Sequence, residues 1–157
     1  MAGHQSRRDE ILGAALKRFA RMGFKKTTLD DVAEEVGIVK SALYRYFANK
    51  GDLFATVLDR MARAHIEAAE QAIDSVEGTE EKLRVLLHTP HEVGVESMKE
   101  HEMPPGVWRE LKPLVKEGTE GHKRSAIQMI TNLLEEGVSS GLISCKETGA
   151  VAVMMHT

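Results

Sequence analysis

Apolar residues recur at helical spacing along most of the chain, and no stretch shows the alternation of a half-buried strand. The first predicted helix runs from a cap at Ser6 to a stop at Gly23. Its apolar stripe consists of Ile11, Leu12, Ala15, Leu16 and Phe19. The pattern predicts an all-α fold.

Two short helices separated by a glycine follow. Thr28 is the predicted cap of the second helix, with Asp31 three residues later in the reciprocal position of a capping box. Gly37 is the predicted end of that helix, with a positive φ. Only two residues then precede a third predicted helix, at about residues 40–47. Two short helices joined by a tight turn containing glycine are typical of a helix-turn-helix.

Longer helices are predicted for the rest of the chain. Asn49 is the predicted cap of a fourth helix at about residues 51–76, and a fifth is expected at 80–88. A long helix is expected to end at Gly141, and a last one to begin at a capping box formed by Ser144 with Glu147. That last helix is apolar on nearly every side and therefore needs burial. We accordingly expect the C-terminal helical domain to be truncated.

Charge and aromatic residues divide the chain in two. Residues 1–50 carry 10 Lys and Arg against 6 Asp and Glu, whereas residues 51–157 carry 11 against 18. Six of the seven aromatic residues lie between Phe19 and Phe54. This asymmetry predicts a basic helix-turn-helix domain at residues 1–50 and an acidic helical regulatory domain at 51–157.

One segment carries a family resemblance. The run TTLDDVAEEVGIVKSALYRYFANKGDLF resembles the DNA-binding signature of the tetracycline-repressor (TetR) family, and ILGAALKRFARMGFKKTTLDDVA matches the family's first helix and junction. The resemblance covers about residues 11–58. It implies an N-terminal domain that reads operator DNA and a C-terminal domain that binds an inducer and dimerises. It thus implies a ligand-responsive repressor that binds a pseudo-palindromic operator as a homodimer.

The resemblance also implies roles for individual residues. Lys40, Ser41 and Ala42 open the recognition helix and are expected nearest the base edges. Phosphate contacts are implied for Tyr44, Tyr46 and Lys50. A contact to either a phosphate or a base is implied for Arg45. The full set of implied DNA-binding residues is Thr28, Lys40, Ser41, Ala42, Tyr44, Arg45, Tyr46 and Lys50. Thr28 adds a hydroxyl at a helix N-terminus, where the helix dipole favours an anion.

Two positions depart from the family pattern. Val39 stands where a hydroxyl residue commonly precedes the recognition helix, so that a side-chain cap worth about 1 kcal/mol is lost. Gly51 stands where an acidic residue often begins the fourth helix. Both favour an alternative function, a helical interaction module whose degenerate helix-turn-helix no longer binds DNA specifically. An activator or architectural DNA binder without an inducer is a further alternative.

Methionines predict where a ligand binds. Side chains of this type line pockets that adapt to varied apolar ligands, although ordinary core filling is the alternative for each one. The candidate ligand-binding residues are His65, Met98, Trp108 and Met129. A surface or interface histidine is the alternative for His65. The expected inducer is small and apolar or amphipathic.

Other function classes lack their residue patterns. The histidines lack metal-binding spacing, and the lone Cys145 excludes a disulfide framework and fits a reducing compartment. The sequence shows no nucleophile–base pair or phosphate-binding loop, so we expect neither an enzyme nor a cofactor. An N-terminus without an apolar core and the absence of a membrane-length apolar run favour the cytoplasm.

Overall fold

The computed structural model describes residues 2–86, 103–118 and 120–155, and every regular element in these ranges is an α-helix. The helices are α1 (Ala2–Lys26), α2 (Leu29–Val36), α3 (Lys40–Leu43), α4 (Lys50–Asp74), α5 (described over 79–86), α6 (Pro105–Gly118), α7 (Glu120–Ser139) and α8 (Thr148–Met155). The prediction of an all-α fold is confirmed.

Contacts group the helices into two compact units. The first unit contains α1, α2, α3, the part of α4 up to Arg60, and α6. The second contains the rest of α4 from Met61 onward, with α5, α7 and α8. The domain boundary expected after residue 50 stays a prediction, because these units are defined by contact and not by function.

The core of the first unit is built on phenylalanines. Phe19 of α1 meets Phe54 of α4 edge to face, with ring centroids 4.9 Å apart, and Phe24 lies 5.0 Å from Phe54. Around these rings the buried side chains include Ile11, Leu12, Ala15, Val32, Ala33, Leu43, Phe47, Leu53 and Val57. The apolar stripe predicted for the first helix is therefore buried, except for Leu16, which is half-buried.

The N-terminal helix begins earlier than the sequence suggested. The predicted start after a Ser6 cap is wrong, because α1 is already helical from Ala2. An ion pair between Arg7 and Glu10, 2.7 Å long and three residues apart, adds support along this exposed first part of the helix. The hydroxyl of a residue inside a helix is no longer placed to cap its first turn.

Gly23 breaks α1 near its end. Its φ of 82° and ψ of 168° are non-helical, and one further helical turn reaches Lys26. We call residues 23–28 the α1–α2 junction. Within it, the fully buried Thr27 hydroxyl donates a 2.8 Å hydrogen bond to the Gly23 carbonyl. The predicted stop at Gly23 is thus a break in the helix followed by a tightly bonded turn.

The second unit has its own apolar cluster. Its buried members come from four helices and comprise Ala69, Ile73, Leu86, Ile130, Leu133, Leu134 and Ala152. The last helix, predicted over TGAVAVMMHT, does begin at Thr148, but the predicted capping box is wrong because Ser144 lies four residues before that start. Val153 and Met154 of α8 are exposed while Ala152 is fully buried. One face of α8 therefore packs inward and leaves apolar side chains on the other.

Candidate nucleic-acid interface

The helix-turn-helix is assembled from two local capping arrangements. Thr28 and Asp31 form the predicted capping box at the start of α2, with each side chain accepting the other residue's backbone N–H. At the end of α2, Gly37 has a φ of 73°, as predicted. The Ile38 N–H then donates to the Ala33 carbonyl at 2.9 Å. These bonds reverse the chain within two residues and bring α3 against α2.

Residues 39–46 form what we call the recognition segment. Its anchor is the fully buried Leu43, while Val39, Lys40, Ser41, Tyr44 and Arg45 are exposed and Ala42 and Tyr46 are half-buried. Of the two tyrosines, Tyr44 is the more open to solvent, with 49% of its surface exposed. Six of the eight predicted DNA-binding residues lie in this segment, whereas Thr28 caps the start of α2 and Lys50 begins α4.

The recognition helix is shorter than predicted. Regular helix ends at Leu43 and does not continue to Phe47. Beyond it the N–H groups of Arg45 and Tyr46 bond carbonyls three residues back, at 3.2 and 2.9 Å. Such bonds form tight turns and not regular α-helix. No side chain caps the start of α3 at Val39, in agreement with the expected loss of a cap.

Lys40 is paired within the motif. Its ammonium lies 2.6 Å from the carboxylate of Asp30 on α2. This hydrogen bond is the main cause that raises the pKa of Lys40, so the amine is charged at neutral pH. The charged ammonium of Lys40 therefore pairs with the Asp30 carboxylate of α2 in this structure.

Thr28 already uses its hydroxyl in the capping box. The hydroxyl donates to the Asp31 carboxylate at 2.7 Å and accepts the Asp31 N–H at 3.1 Å. The Thr28 N–H also donates to that carboxylate at 2.7 Å. These bonds, the side-chain one first, hold the pKa of Asp31 below its ordinary value. The phosphate contact implied for Thr28 stays a prediction.

The side chain of Lys50 contacts the backbone of the α1–α2 junction. Its ammonium donates to the carbonyls of Phe24, Thr27 and Lys25 at 2.8, 3.0 and 3.4 Å. It also lies 4.5 Å from the centroid of the Phe24 ring. An ammonium has three N–H donors, and three carbonyls match that number. The phosphate contact implied for Lys50 stays a prediction.

Two lysines were missed as candidate contacts. Lys25 and Lys26 are exposed in the junction, immediately before the buried Thr27 and the exposed Thr28. The signal was present in the sequence as a basic pair preceding two threonines, but it entered only the charge count. These lysines extend the positive charge of the motif beyond the recognition segment.

The helix-turn-helix is similar to a known family of DNA-binding domains. Residues 11–57 match the model of the bacterial regulatory proteins of the tetR family. The helix-turn-helix-type transcriptional regulator YhgD of Bacillus subtilis is 29% identical over 157 residues, which cover 95% of this chain and 78% of the relative. The helix-turn-helix domain at residues 11–57 belongs to the TetR family. This TetR-family protein is a DNA-binding transcriptional regulator.

Two further matches extend over most of this TetR-family chain. The transcriptional repressor KstR2 of Mycolicibacterium smegmatis is 28% identical, with 87% of this chain and 67% of the relative covered. The solved structure of the fatty acid degradation regulator FadR of Bacillus halodurans superposes with a TM-score of 0.72. That superposition covers 95% of this chain and 79% of the other at 16% identity, which supports the fold alone.

The predicted ligand-binding residues do not converge. Met129 of α7 lines an open groove of about 760 Å³ in the second unit. His65 is half-buried, which lowers its pKa, but it does not line that groove. Trp108 belongs to the first unit, and Met98 lies outside the described residues. Apart from Met129, the groove's composition therefore could not be read from the methionine pattern.

The groove is amphipathic. Ile66 and Ile73 of α4 and Leu133 of α7 supply apolar surface. Charged groups on the same two helices are Glu70, Asp74 and Arg124. Such a lining suits a molecule that combines an apolar body with a polar or charged end.

The described residues contain neither a cluster of metal ligands nor a membrane-spanning helix. Within residues 2–86, 103–118 and 120–155, no three His, Cys, Asp or Glu side chains are grouped so as to hold a metal ion. In the same ranges, none of the helices has the length and apolar character needed to cross a membrane.

Proposed function

We propose that this regulator is a ligand-responsive repressor that binds a pseudo-palindromic operator as a homodimer in the cytoplasm. The observation that carries the DNA-reading part is the recognition segment itself. Its buried Leu43 anchors a row of exposed polar side chains that includes Lys40, Ser41 and Arg45. A rigidly anchored helix start with exposed donors suits reading of base edges in the major groove.

The proposed residue roles are those that the family resemblance implies, and exposure and side-chain chemistry support several of them. Ser41 donates to base acceptors, Lys40 donates to a guanine acceptor or to a phosphate, and the half-buried Ala42 contributes a methyl contact. Tyr44, Tyr46, Thr28 and Lys50 set the position on phosphates, and Arg45 contacts phosphate or base. Lys25 and Lys26 add sequence-independent attraction from the junction. Base contacts then determine sequence preference, while the phosphate contacts determine the salt dependence.

A dimer is proposed because one recognition segment covers only half an operator. Two copies related by a two-fold axis place two segments on half-sites about one helical turn apart. The exposed Val153 and Met154 of α8 offer apolar surface of the kind that subunit interfaces bury.

Ligand response is proposed for the amphipathic groove. Its apolar side chains and the charges of Glu70, Asp74 and Arg124 suit a small amphipathic inducer. An inducer that prefers the DNA-free state would weaken operator binding by a coupling of about 1–3 kcal/mol. Repression is supported by the likeness to KstR2, whose name describes a repressor. No catalytic role is proposed.

The test begins by selecting duplexes from a random-sequence pool with the full chain. The selected duplex and a scrambled one are then titrated at several salt concentrations. We expect at least ~10³-fold tighter binding to the selected duplex, two copies bound per duplex, and an enriched sequence with two-fold symmetry. The Lys40→Ala variant should lose most of this preference, whereas Lys146→Ala in the second unit should keep it.

The alternative is a helical interaction module. It is favoured by the absence of a side-chain cap on the four-residue α3. Equal, weak binding to both duplexes by a folded sample would support this alternative against operator reading. Placing the selected site in a reporter promoter separates repression from activation by the sign of the change in transcription.

A further inference from the structure

A helix that is distant in sequence holds the end of α1. Glu110 of α6 accepts a 2.8 Å hydrogen bond from the backbone N–H of Lys25. The same carboxylate lies against Gly23, where an added Cβ would come within 2.9 Å of its Oε2 atom. With its φ of 82°, Gly23 thus provides both the break in the helix and the space for the Glu110 carboxylate.

A carboxylate suits this place electrostatically. After the break at Gly23 the backbone begins a new helical turn, and the first N–H groups of such a turn point outward without in-line carbonyl partners. These groups carry partial positive charge, which an anionic acceptor satisfies. Glu110 is half-buried and Lys25 is exposed, so the bond lies at the edge of the packed surface between α1 and α6.

Lys50 bonds the opposite backbone groups of the same segment. Its ammonium takes the carbonyls of Phe24, Lys25 and Thr27, while Glu110 takes the Lys25 N–H. Backbone donors and acceptors of the junction are thus held by two side chains of opposite charge from two different helices. A segment restrained in this way has little freedom to change its direction.

The restrained segment leads directly into the DNA-reading helices. The junction ends at Thr28, whose capping box begins α2, and α2 carries α3 through the turn at Gly37. A change in the direction of the junction would therefore tilt α2 and the recognition segment together. Displacements near 1 Å at such a site are large compared with the precision that base-edge hydrogen bonds require.

We propose that Glu110 is a positioning residue for operator recognition, acting through its hydrogen bond to the Lys25 N–H at the junction. This assignment rests on the DNA-reading function proposed above. In this assignment Glu110 does not contact DNA. The residue fixes the angle at which the recognition segment is presented, so it acts on sequence preference and leaves general attraction to phosphates unchanged.

The test compares variants of Glu110 in the full chain, with the duplex selected by the wild type and a scrambled duplex as probes. Glu110→Ala should weaken binding to the selected duplex roughly tenfold, because one charge-assisted hydrogen bond that orients the segment is lost. Binding to the scrambled duplex should stay within about twofold, since no cation is removed. Glu110→Gln keeps an oxygen acceptor at the same reach and should restore most of the preference.

Two further variants keep the result interpretable. Glu110→Asp retains the charge but is one methylene shorter, so it should lose the bond to the Lys25 N–H and weaken binding to the selected duplex roughly tenfold. This variant provides the test if Glu110→Ala does not fold. Glu117→Ala removes an exposed carboxylate from the same helix and should bind as the wild type. Circular dichroism and urea unfolding establish the folded fraction for each titration.

The outcomes separate this assignment from the proposed function. If the wild type enriches no sequence, the DNA-reading function fails and the assignment fails with it. If the wild type reads DNA but Glu110→Ala and Glu110→Asp bind the selected duplex normally, only the assignment is overturned. Equal weakening on both duplexes, or a glutamine variant as weak as alanine, would also overturn it.

Discussion

The ammonium of Lys40 and the carboxylate of Asp30 are 2.6 Å apart, although the two side chains are 47% and 62% exposed. The pair joins the start of the recognition segment to the first turn of α2. An exposed pair of this kind adds little stability, because water competes for both charges. Its larger effect is on DNA binding, since a phosphate must compete with Asp30 for the same ammonium.

Removing the Asp30 charge should strengthen binding to any duplex. We expect Asp30→Asn to bind scrambled DNA several-fold more tightly and to steepen the dependence of log K on log salt by roughly 0.9, the value for one added phosphate contact. The ratio of specific to non-specific affinity should fall. Salt-dependent fluorescence titrations measure both quantities. Glu67→Gln, an equal charge change in the second unit, should leave the slope unchanged.

The uncapped start of α3 predicts a stabilising substitution. Val39 is 70% exposed and has an extended backbone with φ −76° and ψ 145°, which is the conformation of a capping residue. Val39→Ser should therefore stabilise the chain by about 1 kcal/mol in urea unfolding. Val39→Ala removes the same apolar surface without adding an acceptor and should show no such gain. If only Val39→Ser reads DNA, the interaction-module alternative gains support.

The capping box of α2 predicts an acid-sensitive contribution to stability. Hydrogen bonds from Thr28 lower the pKa of Asp31 from its ordinary value of 3.8. Because the pKa of this carboxyl group is lower in the folded state than in the unfolded state, its ionised form stabilises the fold. This contribution is fully present at pH values above the unfolded-state pKa and is lost as the pH falls through the folded-state pKa. The difference in unfolding free energy between the wild type and Asp31→Asn should therefore be constant near neutral pH.

Below pH 3.8 that difference should shrink as the carboxyl group becomes protonated. Urea unfolding from neutral pH into this acid range measures it. Glu34→Gln removes an exposed carboxylate of the same helix outside the capping box and serves as the control. If the difference in unfolding free energy between the wild type and Asp31→Asn grew as the pH fell, the ionised Asp31 carboxylate would not be its cause.

Substituting Lys50 should lower the stability of the fold, and this effect can be measured without DNA. Lys50→Gln cannot satisfy three carbonyls in the same geometry, and we expect the free energy of unfolding to fall by about 2 kcal/mol. Lys26→Gln, the same charge change on an exposed side chain of the junction, should unfold as the wild type. A variant of Lys50 as stable as the wild type would show that these bonds contribute little.

The salt dependence of the same Lys50 variant tests the contact implied by the family resemblance. If the ammonium also neutralises a phosphate, the slope of log K against log salt should become shallower by about 0.9. An unchanged slope together with reduced stability would assign Lys50 to the junction alone.

Local signals in the sequence predicted the helix-turn-helix well. The capping box of Thr28 with Asp31 and the positive φ of Gly37 depend on residues three or four positions apart, so the sequence contains their chemistry directly. The same holds for Asn49, whose side chain accepts the Asp52 N–H at 2.9 Å as the predicted cap of the fourth helix. These motifs are short-range and need no knowledge of the fold.

Errors arose where packing or competing local signals decide. Ser6 has the chemistry of a cap, but α1 continues past it to Ala2. Regular helix in the recognition segment ends at Leu43 and tight turns follow it, while Leu43 and Phe47 are both buried. The role of Glu110 could not be anticipated, since nothing local to α6 indicates that its carboxylate meets the backbone of α1.

That hydrogen bond also has a consequence for synthesis of the protein. The bonds from Lys50 span 23 to 26 positions, whereas the bond from Lys25 to Glu110 spans 85. Because the N-terminal part of a chain folds first as it emerges from the ribosome, α1 to α4 can bury their shared core before α6 exists. The nascent regulator thus presents its recognition segment for a time without the restraint that Glu110 later adds.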